Sequence, residues 1–120
     1  MAKPTTRQTG DAAEQRACAY LQAQGLHLLM RNYRLPSGEI DLVFRDREHL
    51  VFVEVRYRKN PLFGGALASI NHQKQRKIIQ TALHYIQRYR VTLPVRFDVV
   101  AITGTNDIQW LPDAFQPENY

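Results

Sequence analysis

The chain has 120 residues, of which 44% are hydrophobic and 22% charged, a balance that excludes disorder and fits one globular domain with its own core. Sixteen Lys and Arg against eleven Asp and Glu give a formal charge of +5 and a pI near 9.7, which suits an anionic partner such as nucleic acid. Cys18 is the sole cysteine, so an internal disulfide and a thiolate metal cluster are excluded, and without an apolar leader or a stretch of roughly 18 apolar residues the expected setting is the reducing cytoplasm, with no membrane partner.

Residues 1–9 read as a flexible N-terminal tail. Asp11-Ala12-Ala13-Glu14 resembles a capping box that opens a helix running to about Gln24, with Gly25 as its C-terminal stop. Leu26 to Arg34 reads as a first strand and Pro36-Ser37-Gly38 as a turn. Two runs rich in β-branched and aromatic residues follow, Glu39 to Phe44 and Leu50 to Arg56, separated by Asp46-Arg47-Glu48-His49. They read as an antiparallel hairpin. If the turn is centred between Arg47 and Glu48, opposed residues have numbers that sum to 95, so Asp41 stands opposite Glu54. Residues 60–66, with Pro61 and Gly64-Gly65, form a loop.

From Ser69 to Tyr89 the residues Ile70, Ile78, Ala82, Tyr85, Ile86 and Tyr89 recur at helical spacing, giving a long amphipathic helix with Tyr85 and Tyr89 in the core. Val95 to Ile102 is the last main strand, and Ile108-Gln109-Trp110 adds a short edge strand. The order αβββαβ(β) predicts an α/β sandwich around a mixed sheet. The domain spans residues 10–111, and 112–120 are a C-terminal tail.

Opposed carboxylates have Cβ atoms roughly 4.5–5.5 Å apart and repel, so a fold that keeps Asp41 and Glu54 together calls for a cation. Period-two alternation puts Arg56 on the same face. The bland alternative is an ion pair of Glu54 or Glu39 with Arg56. Glu14 shares a helix face with Ala17, Cys18 and Leu21 and so points toward the sheet, unless it serves only the capping box. Lys74 lies on the buried stripe of the long helix, where it either snorkels or reaches the carboxylates. Asp98 alternates with Arg96 and reads as a structural pair. The four histidines lack metal-ligand spacing, and no phosphate-binding glycine loop or nucleophile elbow occurs.

Glu14 on a first helix, Asp41 in Gly38-Glu39-Ile40-Asp41-Leu42, and Phe52-Val53-Glu54-Val55-Arg56 thirteen residues on together resemble the PD-(D/E)xK pattern of the restriction-endonuclease-like superfamily. Within it they are most similar to the archaeal-type Holliday junction resolvases. Across nearly the whole chain the sequence resembles the bacterial YraN-type family, with further matches at Gly10 to Leu21, Arg31-Asn32-Tyr33-Arg34, Phe63-Gly64, Lys74-Gln75-x-Lys77 and Arg96-Phe97-Asp98-Val99-Val100. The resemblance implies a restriction-endonuclease-like α/β/α sandwich and a metal-dependent DNA endonuclease acting on branched or damaged DNA. It implies Mg²⁺ or Mn²⁺ held by Asp41 and Glu54, with Glu14 as a further ligand, often through water, and a catalytic set of Glu14, Asp41, Glu54, Arg56 and Lys74. Two departures stand out: Arg56 replaces the superfamily's lysine, and Ile40 occupies the proline position. Arginine stabilises a phosphate but cannot accept a proton. The alternative reading is therefore a catalytically degenerate nucleic-acid-binding or scaffold protein. The basic residues Arg56, Arg58, Lys59, Lys74, Arg76 and Lys77 are the expected DNA contacts, and a homodimer is compatible with the sequence.

Overall fold

The computed structural model describes residues 6–58, 70–104 and 107–117. Lys59, the loop 60–66 and Ser69 lie outside the described residues. The elements are α1 (Thr6–Ala23), β1 (His27–Leu35), β2 (Gly38–Asp46), β3 (His49–Arg58), α2 (His72–Arg88), β4 (Val95–Thr103) and β5 (Ile108–Phe115). They form one sheet ordered β1-β2-β3-β4-β5. β3 and β4 run parallel, joined through α2, and the other neighbours are antiparallel. This is the mixed sheet that the order of sequence patterns predicts.

One helix covers each face. α1 supplies Ala13, Ala17, Cys18 and Leu21 to a buried cluster with Leu42, Phe44, Val51, Val53, Val100 and Ile102. α2 supplies Ile78, Ile79, Ala82 and Tyr85 to a second cluster with Ile40, Val43, Phe52, Phe97 and Val99. β3 is buried from both sides, which accounts for its unbroken apolar run.

Both helices end in the same way. Beyond α1, Leu26 N–H donates to Leu21 O at 3.1 Å and Gly25 N–H to Gln22 O at 3.0 Å, with Gly25 at φ 98°, the paired bonds of a left-handed helix stop. Beyond α2, Arg90 at φ 51° does the same, with Val91 N–H donating to Ile86 O. Asn71 caps the start of α2, accepting Lys74 N–H at 2.8 Å.

Four expectations are corrected. α1 begins at Thr6, not Asp11, so Asp11 and Glu14 lie inside the helix and the capping-box reading of Glu14 fails. β5 reaches Phe115, past the expected end at Trp110; Pro112 is tolerated because β5 is an edge strand. Tyr89 is 44% exposed, since the apolar stripe of α2 ends one turn earlier, and Arg88 packs over its ring at 5.5 Å from the centroid. Of the other stripe residues, Ile78, Ala82 and Tyr85 are buried on α2 and Ile86 is partly buried, while Ile70, also buried, lies before the Asn71 cap because the helix begins at His72 rather than Ser69.

Candidate functional site

The hairpin turn is two residues, Arg47 and Glu48, and the β2–β3 pairs run from Asp46–His49 to Leu42–Val53. Every pair sums to 95, the register expected for this turn. The ladder stops one pair short of Asp41 and Glu54. There the Asp41 carboxylate takes over, accepting the Val55 N–H on Oδ2 at 2.8 Å. A side chain thus occupies the space between two parting strands.

Asp41 consequently faces two groups. Toward α1, an oxygen from each of Asp41, Glu14 and Glu39 lies within 4.8 Å of the others. The three line a cavity of about 250 Å³ with Gly10, Asp11, Arg34 and Tyr57. Glu14 arrives there because it sits one position beyond the buried Ala13 and three before the buried Ala17. Toward α2 stand Glu54, Arg56 and Lys74. Glu54 is 6% exposed, with Arg56 Nε at 3.8 Å and Lys74 Nζ at 3.9 Å from its Oε1. Both contacts are ion pairs too long for hydrogen bonds, and Arg56 Nε is buried without a hydrogen-bond partner. The Arg56–Glu54 pair of the bland reading is therefore present. The alternative Glu39–Arg56 pair is replaced by Arg34 Nε, 3.3 Å from Glu39 Oε1.

Electrostatics binds the two groups into one site. Burial, then the charges of Asp41 and Glu39, pushes Glu14 up to about 7. Burial and the Asp41 charge push Glu54 up to about 8, against the pull of Lys74 and Arg56. Burial also raises Asp41, opposed by the Val55 N–H and by Lys74. The carboxylates are short of positive charge as they stand.

The donor set fits a divalent ion. All three clustered donors are carboxylate oxygens, the ligand type of Mg²⁺ and Mn²⁺. Octahedral ligands at about 2.1 Å from a metal lie about 3.0–4.2 Å apart, so oxygens within 4.8 Å need to draw in by little. Glu54 stands outside this trio, across Asp41 from it.

The pattern of the sequence pointed to Glu14, Asp41, Glu54, Arg56 and Lys74, and the fold gathers all five. Lys74 does reach a carboxylate. Arg58 is half-buried, its guanidinium on Tyr57 O, while Arg76 and Lys77 are exposed on α2. Two participants were missed. Glu39 is one, and the signal for it in the sequence is its place two residues before Asp41. With its amide assigned so that the nitrogen, not the oxygen, faces the two carboxylates, Asn32 donates to Glu14 Oε1 at 3.0 Å and Glu39 Oε1 at 3.1 Å. No periodicity marks it.

The Asp98 pair is structural, as expected. Asp98 is fully buried and accepts two bonds from Arg96, one from Trp110 Nε1 and one from Asp113 N–H. That leaves it no capacity for a ligand.

A match to the uncharacterised protein family UPF0102 spans residues 13–102. The chain belongs to that family. A UPF0102 protein of Nitrosococcus oceani is 53% identical, over 98% of this chain and 99% of its own length. A UPF0102 protein of Legionella pneumophila is 50% identical, over 92% and 96%. The UPF0102 protein YraN of Escherichia coli is 47% identical, over 92% and 86%. The UPF0102 span opens one residue before Glu14 and contains Asn32, Glu39, Asp41, Glu54, Arg56 and Lys74. The acidic site thus lies within the part of the chain that defines the family. No helix among the described residues is long and apolar enough to cross a membrane.

Proposed function

We propose that this UPF0102 protein is a Mg²⁺- or Mn²⁺-dependent endonuclease that hydrolyses phosphodiester bonds of DNA, with branched or damaged DNA as the substrate class. The observation that carries the reading is Asp41, fixed at the fork of β2 and β3 by the Val55 N–H and flanked by Glu14 and Glu39 within 4.8 Å. Asp41, Glu14 and Glu39 would hold the cation, with Glu54 beside Lys74 and Arg56 on the α2 side of Asp41. A divalent ion bound there supplies an activated water and charge neutralisation at the phosphate.

The chain's own residues do the rest. Arg56 and Lys74 flank Glu54 at 3.8 and 3.9 Å, and with a phosphate present they are the donors available to its non-bridging oxygens. Arg56 cannot accept a proton. Glu54, pushed up to about 8, is able to hold one near neutral pH, and Lys74 offers the amine that the arginine replaces. Arg58, Arg76 and Lys77, with the net charge of +5, favour the polyanion.

The second reading, a non-catalytic nucleic-acid-binding or scaffold protein, is favoured by Arg56 in place of the lysine and Ile40 in place of the proline. Calorimetric titration with Mn²⁺, on wild type and Asp41→Ala, followed by cleavage assays on duplex, flapped and four-way DNA, tests both. The nuclease reading requires Mn²⁺ binding that Asp41→Ala loses and cleavage that EDTA stops. Mn²⁺ binding without cleavage of any substrate leaves the binder reading, and no Mn²⁺ binding overturns the metal site.

A further inference from the structure

Asn32 is a polar residue with an unusual backbone at a decisive place. It sits in β1 at φ 54°, a left-handed conformation that asparagine and aspartate tolerate better than other side chains. The β1–β2 pairs on either side of it are Arg31–Leu42 and Tyr33–Ile40, so Asn32 stands across from Asp41. In the amide orientation that satisfies both partners, its nitrogen spans the Glu14 and Glu39 carboxylates, with bonds of 3.0 and 3.1 Å. Those two side chains come from different elements, α1 and β2, and when both are ionised their charges oppose each other.

We infer that Asn32 is a positioning residue that braces Glu14 and Glu39 together across from Asp41, so that the three carboxylates are preorganised for a divalent cation. The inference rests on the cation-binding reading of the site. Each bond falls on Oε1 of its carboxylate and leaves Oε2 available as a ligand atom, the usual division of labour between a metal ligand and the group that orients it. The left-handed backbone turns the short amide into the gap between the two elements. A position in a sparsely populated backbone region beside a polar site is one where strain serves function.

Two variants separate the amide from the backbone. Asn32→Gly keeps the left-handed conformation at no steric cost and removes the brace. Asn32→Asp keeps the shape and replaces the donor with an acceptor. Calorimetric titration with Mn²⁺ should show Asn32→Gly binding about tenfold or more weakly than wild type. In EDTA, Asn32→Asp should melt below both wild type and Asn32→Gly, since it adds a carboxylate against two others.

If wild type binds Mn²⁺ and Asn32→Gly binds it equally well, the brace is overturned and the metal reading stands. If wild type itself binds no Mn²⁺, the metal reading fails and this inference with it. Should Asn32→Gly fail to fold, Asn32→Asp decides: a melting temperature in EDTA equal to or above that of wild type overturns the brace, and one several degrees lower supports it.

Discussion

The Asp41 carboxylate accepts the Val55 amide at 2.8 Å, where the β2–β3 ladder has just ended. Its charge acts on both Glu14 and Glu54, and the charge of Glu39 acts on it. An Asn side chain in this position can still accept the Val55 N–H through Oδ1, while it carries no charge. Asp41→Asn should therefore be as stable as wild type in EDTA, or more stable by about 0.2–1 kcal/mol from lost repulsion. Mn²⁺ should reverse the order, because wild type gains about 1.4 kcal/mol at ten times Kd and the variant little. Thermal melts of both proteins in EDTA and in Mn²⁺ check this; equal Mn²⁺ shifts would mean that Asp41 is not a ligand.

Stability should depend on pH in a direction opposite to that of most carboxylate sites. Glu54 is raised from 4.5 to about 8 and Glu14 from 4.5 to about 7, so between about 4.5 and 8 the folded protein holds protons that the unfolded chain has released. The corresponding stability is fully present below about 4.5 and is lost as pH rises through the folded values. Urea melts in EDTA should show stability falling over that window. Glu54→Gln should flatten the upper part of the fall, toward pH 8. A wild-type slope unchanged in Glu54→Gln would remove Glu54 as its source.

Gly38 opens β2 directly beneath α2. A Cβ built there would lie 2.6 Å from Thr81 Oγ1 and 3.3 Å from Lys77 O. Thr81 is fully buried and its hydroxyl is tied to Lys77 O at 2.8 Å, so it has little room to yield. Gly38→Ala should destabilise by about 1–3 kcal/mol through overpacking. Adding Thr81→Ala should recover part of that loss, a coupling that a double-mutant cycle by urea denaturation measures. Additive effects would locate the cost in the backbone of β2 instead.

The fold was legible where a short-range rule decides the outcome. A two-residue turn at Arg47-Glu48 fixes the register of the hairpin, and a 3.6-residue stripe from Ile78 to Tyr85 fixes the buried side of α2. The start of α1 was not legible, because Asp11-Ala12-Ala13-Glu14 imitates a capping box while Thr6 to Gly10 carries no apolar pattern. At the site, counting along two strands brings Asp41 and Glu54 to the same end of the hairpin, but the ladder ends at Leu42–Val53, one pair before them. Asn32 could not be found by counting, since its contribution comes from a left-handed backbone in β1 and from side chains of two other elements. Counting also could not foresee that the strands fork at Asp41, which turns its carboxylate toward Glu14 and Glu39 as well as Glu54.

Binding to DNA should be governed by phosphate contacts. With a formal charge of +5, Lys74 beside Glu54, and Arg76 and Lys77 exposed on the same helix, affinity should show modest sequence preference and fall steeply between about 50 and 200 mM salt. Each phosphate neutralised contributes about 0.9 to the log–log slope. Fluorescence anisotropy with labelled duplex and branched DNA measures it. A slope near zero, or no binding at low salt, would sink the idea.

The sharpest test of chemistry at the α2 side is Arg56, whose Nε is buried without a hydrogen-bond partner and lies 3.8 Å from Glu54. A buried donor left unmatched costs stability, and a phosphate oxygen is the kind of acceptor that would satisfy it. If Arg56 stabilises the phosphate by charge and hydrogen bonds, Arg56→Lys should keep or raise metal-dependent cleavage, and Arg56→Ala should lower it by about 100-fold or more. Lys74, 3.9 Å from the same Glu54 oxygen, is the internal control. Should Arg56→Ala cleave as fast as wild type while Lys74→Ala does not, the role belongs to the helix lysine and the arginine is only the partner of Glu54.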